Sequence, residues 1–289
     1  MQTIWLPDAK PRPRRLAVGE FDGVHAGHRE VIRGSDSVLT FEPHPRTVVA
    51  PQAAPKLLTT LEQKTDLIAA LGVDELIVVP FDGARAAQTA QEFIDAELVA
   101  RLGATQVSVG ENFRFGNRAK GDAALLQTQD AFTTRVVELV EIDGEIVSST
   151  HIRGLIATGA VADAARLLGA PFGMRGTVAH GDKRGRTLGF PTANLAVPRD
   201  LIVPAYGIYA GEADGYRAAI SIGVNPHYGG EERRVEAFLL DFEGDLYGKR
   251  LAVELWRRLR DERAFGSEQE LIDQIAADVE AARAAERTH

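Results

Sequence analysis

Two histidines, His25 and His28, stand three residues apart within "VGEFDGVHAGH", Val18 to His28, directly after a short apolar run. If a helix has begun by then, that spacing puts both imidazoles on one face. Glycines in such a turn let backbone N–H groups approach phosphate oxygens, and a helix start favours an anion. Gly19, Phe21, Asp22 and Gly23 then form the phosphate-facing turn, and the two rings donate to charge developing in phosphoryl or nucleotidyl transfer. A zinc half-site competes with this reading, although the chain has no cysteine and no H-E-x-x-H. Two solvated histidines at a helix start are the plainer alternative.

A second group is "SSTHIR", Ser148 to Arg153. Its hydroxyls are ordinary N-caps. Together with free helix N–H groups and an arginine they also form a good pyrophosphate cradle. A third is "GDKRGRTLGFPTANL", Gly181 to Leu195, where three glycines accompany Lys183, Arg184 and Arg186 in an acidic chain. An exposed basic hairpin is the bland account of that run. Within it, Thr192 and Asn194 alternate along an extended strand, so they share a face and offer hard oxygens of the kind Mg²⁺ accepts.

These groups need elements to hold them. "RLAV", "SVLTF", "ELIVVPF", "QVSVG" and "TTRVVELV" read as strands, and "LEQKTDLIAALG" and "AQEFIDAELVARLG" as helices between them. Strand and helix in repetition predict a parallel sheet with helices on both faces. Two glycine-closed helices follow, "HIRGLIATG" and "VADAARLLG". Beyond Pro171-Phe172 the pattern turns to short alternating strands, such as "GTVAHG", "YGIYAGEA", "YRAAISIG" and "VEAFLLDF", which predict a small antiparallel β-barrel. An amphipathic helix from about Ser267 to Glu286 ends the chain. The expected domains are residues 1–172 and 173–289.

The 289 residues carry a formal net charge of −8, which argues against a broad nucleic-acid-binding face. No stretch reaches the apolar length of a membrane span, and the N-terminus lacks the apolar core of a signal peptide. A cytoplasmic protein with no nucleic-acid or membrane partner is expected, and a homo-oligomer is left open.

The motifs also carry a resemblance. "GEFDGVHAGH", "TFEPHP" at Thr40 to Pro45, "GENFRFGNRAKGD" at Gly110 to Asp122, and "SSTHIR" occur in family order. This half resembles the nucleotidylyltransferase superfamily, and within it the FAD synthetase module of the bacterial bifunctional riboflavin kinase/FAD synthetases. The second half, with "GRTLGFPTANL", "PAYGIYAG", "GVNPHYGG" and "VEAFLLDFEGDLYG", resembles the riboflavin kinase domain of the same family.

The resemblance implies a nucleotidylyltransferase-type sheet domain followed by a riboflavin kinase-like barrel. It implies that His25 and His28 act at the ATP α-phosphorus, while Ser149, Thr150 and Arg153 hold the departing pyrophosphate. Phe41, Pro43 and Asn112 would line the flavin side. In the barrel it implies Gly181, Lys183, Arg186 and Gly189 for the nucleotide loop, and Thr192 and Asn194 for Mg²⁺. Glu236 would receive the riboflavin 5′-hydroxyl proton, and Arg260 and Glu262 would close on flavin. The implied partners are riboflavin, FMN, FAD and ATP. Two departures stand out: only 11 residues separate His28 from Thr40, where the family carries a longer first helix, and His227 stands where the family often has Thr. A kinase with weak or lost adenylylation and a flavin-binding protein without turnover are the alternative readings.

Overall fold

The computed structural model describes residues 1–179, 189–224 and 233–288. The chain divides into two compact units, Met1–Ser149 and Thr150–His289.

The first unit is built on six parallel strands: β1 (Gln2–Trp5), β2 (Arg14–Val18), β3 (Ser37–Glu42), β4 (Glu75–Pro80), β5 (Ala104–Gly110) and, after the short hairpin β6 (Arg114–Phe115) and β7 (Gly121–Asp122), β8 (Thr133–Val137). Their order is β1-β4-β3-β2-β5-β8. β3 and β4 are buried along almost their whole length, as a parallel sheet covered on both faces requires. Alternate residues feed two cores. Leu16, Val18, Leu39, Ile77 and Val107 pack on one face with Ile94 and Leu98. Ala17, Val38, Leu76 and Val78 pack on the other with Val31, Ile32 and Ile68.

The helices supplying those partners are α1 (Ala26–Ile32), α2 (Pro45–Val49), α3 (Leu61–Ala69), α4 (Gly83–Ala87), α5 (Ala90–Glu92), which runs into a π-helical segment Phe93–Arg101, and α6 (Ala123–Gln127). The short link after α1 closes through Gly34 and Ser35. Gly34 takes φ +78°, and Ser35 N–H donates to the Ile32 carbonyl at 2.9 Å. α3 starts from a capping box of Thr60 and Gln63.

A small hairpin, β9 (Glu141–Ile142) and β10 (Glu145–Ile146), leads to α7 (Ser149–Thr158) and α8 (Val161–Leu168). α8 packs on strands of the second unit, β11 (Phe172–Ala179) and β16 (Arg250–Arg260), which places it with the barrel. The remaining strands are β12 (Ala193–Ala196), β13 (Gly207–Ala213), β14 (Tyr216–Val224) and β15 (Arg233–Leu239). They close in the order β11-β12-β15-β14-β13-β16, with every pair antiparallel. Inward residues such as Val235, Ala237 and Leu239 alternate with outward polar ones. α9 (Glu268–Ala284), capped by Ser267, covers the outside of β13, β14 and β16. Among the described residues no helix is long and apolar enough to cross a membrane.

Candidate active sites

The chain leaves β2 for β3 on one side, and β5 lies on the other. The loop after β2 therefore opens at the point where strand order reverses, where open parallel sheets hold ligands. This loop, Gly19 to His25, is tightly wound: φ is +50° at Phe21, +85° at Gly23 and +41° at Val24. For a bulky and a β-branched residue that conformation costs about 1–3 kcal/mol each, so surrounding contacts must impose it. The Phe21 ring folds back over Gly19, where a Cβ would lie 3.0 Å from the ring.

Those contacts come from the approach to α3. The Asp22 carboxylate, 2% exposed, accepts from the Leu58 and Thr59 N–H groups at 3.0 Å each and from the Thr59 hydroxyl at 3.2 Å. Thr59 Oγ1 in turn accepts from Gly23 N–H at 3.1 Å. One turn later Lys64 Nζ donates to the Glu20 carbonyl at 2.8 Å and to Thr40 Oγ1 at 3.3 Å. Burial pushes the Lys64 ammonium below the ordinary lysine range, against the pull of Asp22, Glu42 and Glu20. The Glu20 carboxylate reaches the next loop, 2.7 Å from His44 Nε2. Thus the side chain of Asp22, expected to face ATP, anchors the loop. The Leu58–Lys64 anchors were not among the expected residues. Their signal was Lys64 itself, three residues after Leu61 and four before Ile68 on the buried face of a helix.

His25 caps α1: its Nδ1 accepts the His28 N–H at 3.3 Å. In the neutral ring the proton then resides on Nε2, leaving a donor on the far side. The two rings stack at 3.6 Å with 17° between planes, and His28 meets the Phe21 ring edge at 5.3 Å. The sequence-predicted pair is therefore brought together on one rigid turn. Ser149, the first residue of α7, donates from Oγ to the Asp22 carbonyl at 3.0 Å, so this residue meets the same loop. Thr150 and Arg153 follow on α7.

On the expected flavin side, Phe41 is 8% exposed and belongs to an aromatic chain. It contacts Phe81 at 5.8 Å and Phe93 at 6.4 Å, and Phe93 continues to Phe115 and Phe113. Pro43 and Asn112 are exposed. The β6–β7 turn is pinned by Asn117, which donates to the Ala86 carbonyl at 3.0 Å.

In the barrel, the register pairs Asn194 with Glu236 and Glu236 with Ser221. These residues, with Gly223 opposite Arg234, share the outer face, and Thr192 precedes Asn194 on the same alternation. Arg234 stands between the two expected site residues. Its Nε lies 2.6 Å from Asn194 Oδ1 and 2.5 Å from Glu236 Oε1. This arginine went unread in the sequence, where its only signal was its place two residues before Glu236. Glu262 covers Gly223, where a Cβ would lie 2.3 Å from its Oε1. Burial raises the Glu262 carboxyl above its ordinary value, opposed by Arg260. Arg260 itself is clamped to α9, with Nη2 2.6 Å and Nε 2.9 Å from the Asp278 carboxylate. Gly189 takes φ +87°, whereas Gly181, Lys183 and Arg186 lie outside the described residues, as does His227.

Thr192 and Asn194 offer hard oxygens of the kind a divalent cation with phosphate and water ligands accepts, and Asn194 Oδ1 here also carries the Arg234 guanidinium. Among the described residues no cluster of three or more His, Asp or Glu could cage a metal alone.

Residues 8–151 match the FAD synthetase family model and residues 168–286 the riboflavin kinase model. The bifunctional riboflavin kinase/FMN adenylyltransferase of Escherichia coli K12 is 39% identical over 93% of this chain and 91% of its own length. That of Bacillus subtilis is 37% identical over 91% and 89%. A crystal structure from Streptococcus pneumoniae, described as a macrolide-efflux protein, superposes with a TM-score of 0.89 at 34% identity, covering 98% of this chain and 99% of that one.

Proposed function

The chain belongs to the bifunctional riboflavin kinase/FMN adenylyltransferase family, and we propose that it runs the two reactions in two separate sites, each with its own ATP. Riboflavin is phosphorylated by ATP to FMN and ADP, and FMN is adenylylated by ATP to FAD and pyrophosphate. We assign residues 1–172 to the adenylyltransferase and 173–289 to the kinase.

The stacked His25–His28 pair at the strand-order reversal carries the first assignment. An FMN phosphate oxygen attacks the ATP α-phosphorus, the bond to the bridging oxygen breaks, and pyrophosphate leaves. No enzyme nucleophile is needed, so positioning and charge stabilisation are the whole task. His25, through Nε2–H, and His28 donate to the α-phosphate oxygens. Ser149, Thr150 and Arg153 are assigned to the leaving pyrophosphate, and the Gly19–Gly23 turn to the nucleotide phosphates. Phe41, Pro43 and Asn112 border the flavin.

In the kinase site the riboflavin 5′-hydroxyl attacks the ATP γ-phosphorus, and Glu236 orients it and takes its proton late in a loose transition state. Thr192 and Asn194 would hold Mg²⁺, whose charge offsets that of the phosphates. Families of this kind use a divalent metal generally. Gly181, Lys183, Arg186 and Gly189 are assigned to the nucleotide loop. Arg234 keeps Asn194 and Glu236 in register. Arg260 holds the segment that carries Glu262 beside the flavin. The substrate set and acidic balance fit a cytoplasmic enzyme acting without nucleic acid or membrane.

The test is one incubation with riboflavin, ATP and Mg²⁺, with the flavins separated by chromatography. His28→Ala should lower FAD formation by about 100-fold while FMN accumulates. Glu236→Ala should lower FMN formation by about 100-fold or more, yet leave supplied FMN convertible. Loss of both steps in either folded variant would refute the two-site assignment.

A further inference from the structure

Lys64 occupies a position where an apolar side chain would pack without cost. It lies on the sheet-facing side of α3, is 6% exposed, and stands in helical register with buried Ile68. Burying an ammonium there is unfavourable unless it binds something. Its contacts are specific: the Glu20 carbonyl at 2.8 Å and the Thr40 hydroxyl at 3.3 Å. Thr40 donates to the same Glu20 carbonyl at 2.9 Å, so one peptide oxygen is gripped from two directions. That peptide joins Glu20 to Phe21, the first residue of the loop forced to positive φ. The loop runs on without a break to the His25 cap and the stacked histidines.

We infer that Lys64 is a positioning residue for adenylyl transfer: its ammonium fixes the Glu20 carbonyl and so sets the path of the Gly19–His25 loop beneath the reacting phosphate. Lys64 acts through the loop and touches no substrate. The inference rests on the reading that this loop carries the adenylylation site. It explains why a buried cation is placed below a turn that is already held at Asp22 by Leu58 and Thr59. Those tethers secure the middle of the loop, whereas Lys64 secures its entrance. A cation also suits the place, because Asp22, Glu42 and Glu20 all act on it electrostatically.

Lys64→Met removes the ammonium and keeps the length and apolar stem. A displacement near 1 Å at the reacting groups costs on the order of 100-fold in rate. Lys64→Met should therefore lower kcat for FMN adenylylation by about 10- to 100-fold. KM for FMN should move less than about threefold, and the riboflavin kinase rate in the same chain should not change. Hydrogen–deuterium exchange of the amides of residues 19–28 should speed up by about tenfold or more. A kcat within twofold of the parent, or unaltered exchange in that loop, would overturn the inference. If Lys64→Met fails to fold in its first unit, Thr40→Val decides, since it removes the other grip on the same carbonyl. It should lower kcat by about three- to tenfold with faster exchange, and an unchanged kcat overturns the inference. His28→Ala, run alongside, separates the two ideas. Full FAD formation by His28→Ala refutes the site reading on which the inference rests, whereas its loss beside a normal Lys64→Met refutes Lys64 alone.

Discussion

Asp22 separates an anchoring role from ligand binding, because its carboxylate faces the protein. Asp22→Ala strands the Leu58 and Thr59 N–H groups, whose residues are 1% and 7% exposed, where water does not readily replace the lost acceptor. Each stranded buried donor costs about 1–3 kcal/mol, more when the lost acceptor was charged, so the sum is about 3–5 kcal/mol. In a unit of roughly 150 residues, about 2–4 °C of Tm goes with each kcal/mol, which puts the drop at about 6–20 °C. Asp22→Asn keeps an oxygen that can accept from those amides and should cost only about 1–2 kcal/mol. Scanning calorimetry of the whole chain reads this directly: the transition of the first unit should fall in the order parent, Asn, Ala. Near-normal melting of Asp22→Ala, or equal damage by Asn and Ala, would show that the anchoring bonds contribute little.

Two further substitutions probe the barrel. Gly211→Ala places a Cβ 1.9 Å from the Glu254 carbonyl across β13 and β16, a backbone clash that repacking cannot relieve. It should destabilise the second unit by about 3 kcal/mol or more and abolish riboflavin phosphorylation, while supplied FMN is still adenylylated. Asp278→Ala leaves the Arg260 guanidinium without its partner beneath α9 and should cost about 2–3 kcal/mol, read as faster amide exchange in α9 and a lower transition of the second unit.

Much of this architecture was legible because burial leaves periodic traces. The apolar run of β4 announced a buried strand, strand and helix in repetition announced the parallel sheet, and the short strands after Phe172 announced a barrel. Ser267 marked the start of the last helix by chemistry that acts within a few residues. The histidine spacing found two rings that meet on one turn for the same reason. What sequence spacing could not show was contact between residues distant in the chain. Asp22 and Leu58 lie 36 residues apart, so the carboxylate read as a ligand group when its partners are backbone amides. Lys64 fell on an apolar helix face, but periodicity says nothing about what an ammonium there will grip. Arg234 lies between Asn194 and Glu236 only because β12 and β15 are neighbours, and sheet order is not written in any one strand. β1, four residues at the edge of the sheet, is too short and too exposed to leave a pattern.

The cap on α1 has an evolutionary consequence. Folding asks of residue 25 an acceptor for the His28 amide and a side chain that fills an almost buried place against the His28 ring; Asn, Ser or Asp would supply the acceptor and not the ring. On the proposed mechanism, adenylyl transfer asks in addition for a second nitrogen carrying a proton on the opposite side of the ring. A lineage released from making FAD could therefore exchange His25 for another capping residue at the cost of the ring packing alone. Drift at this position would keep the cap on the helix start and leave the kinase half untouched. The identity of residue 25 thus records whether a related sequence is still under selection for its second reaction.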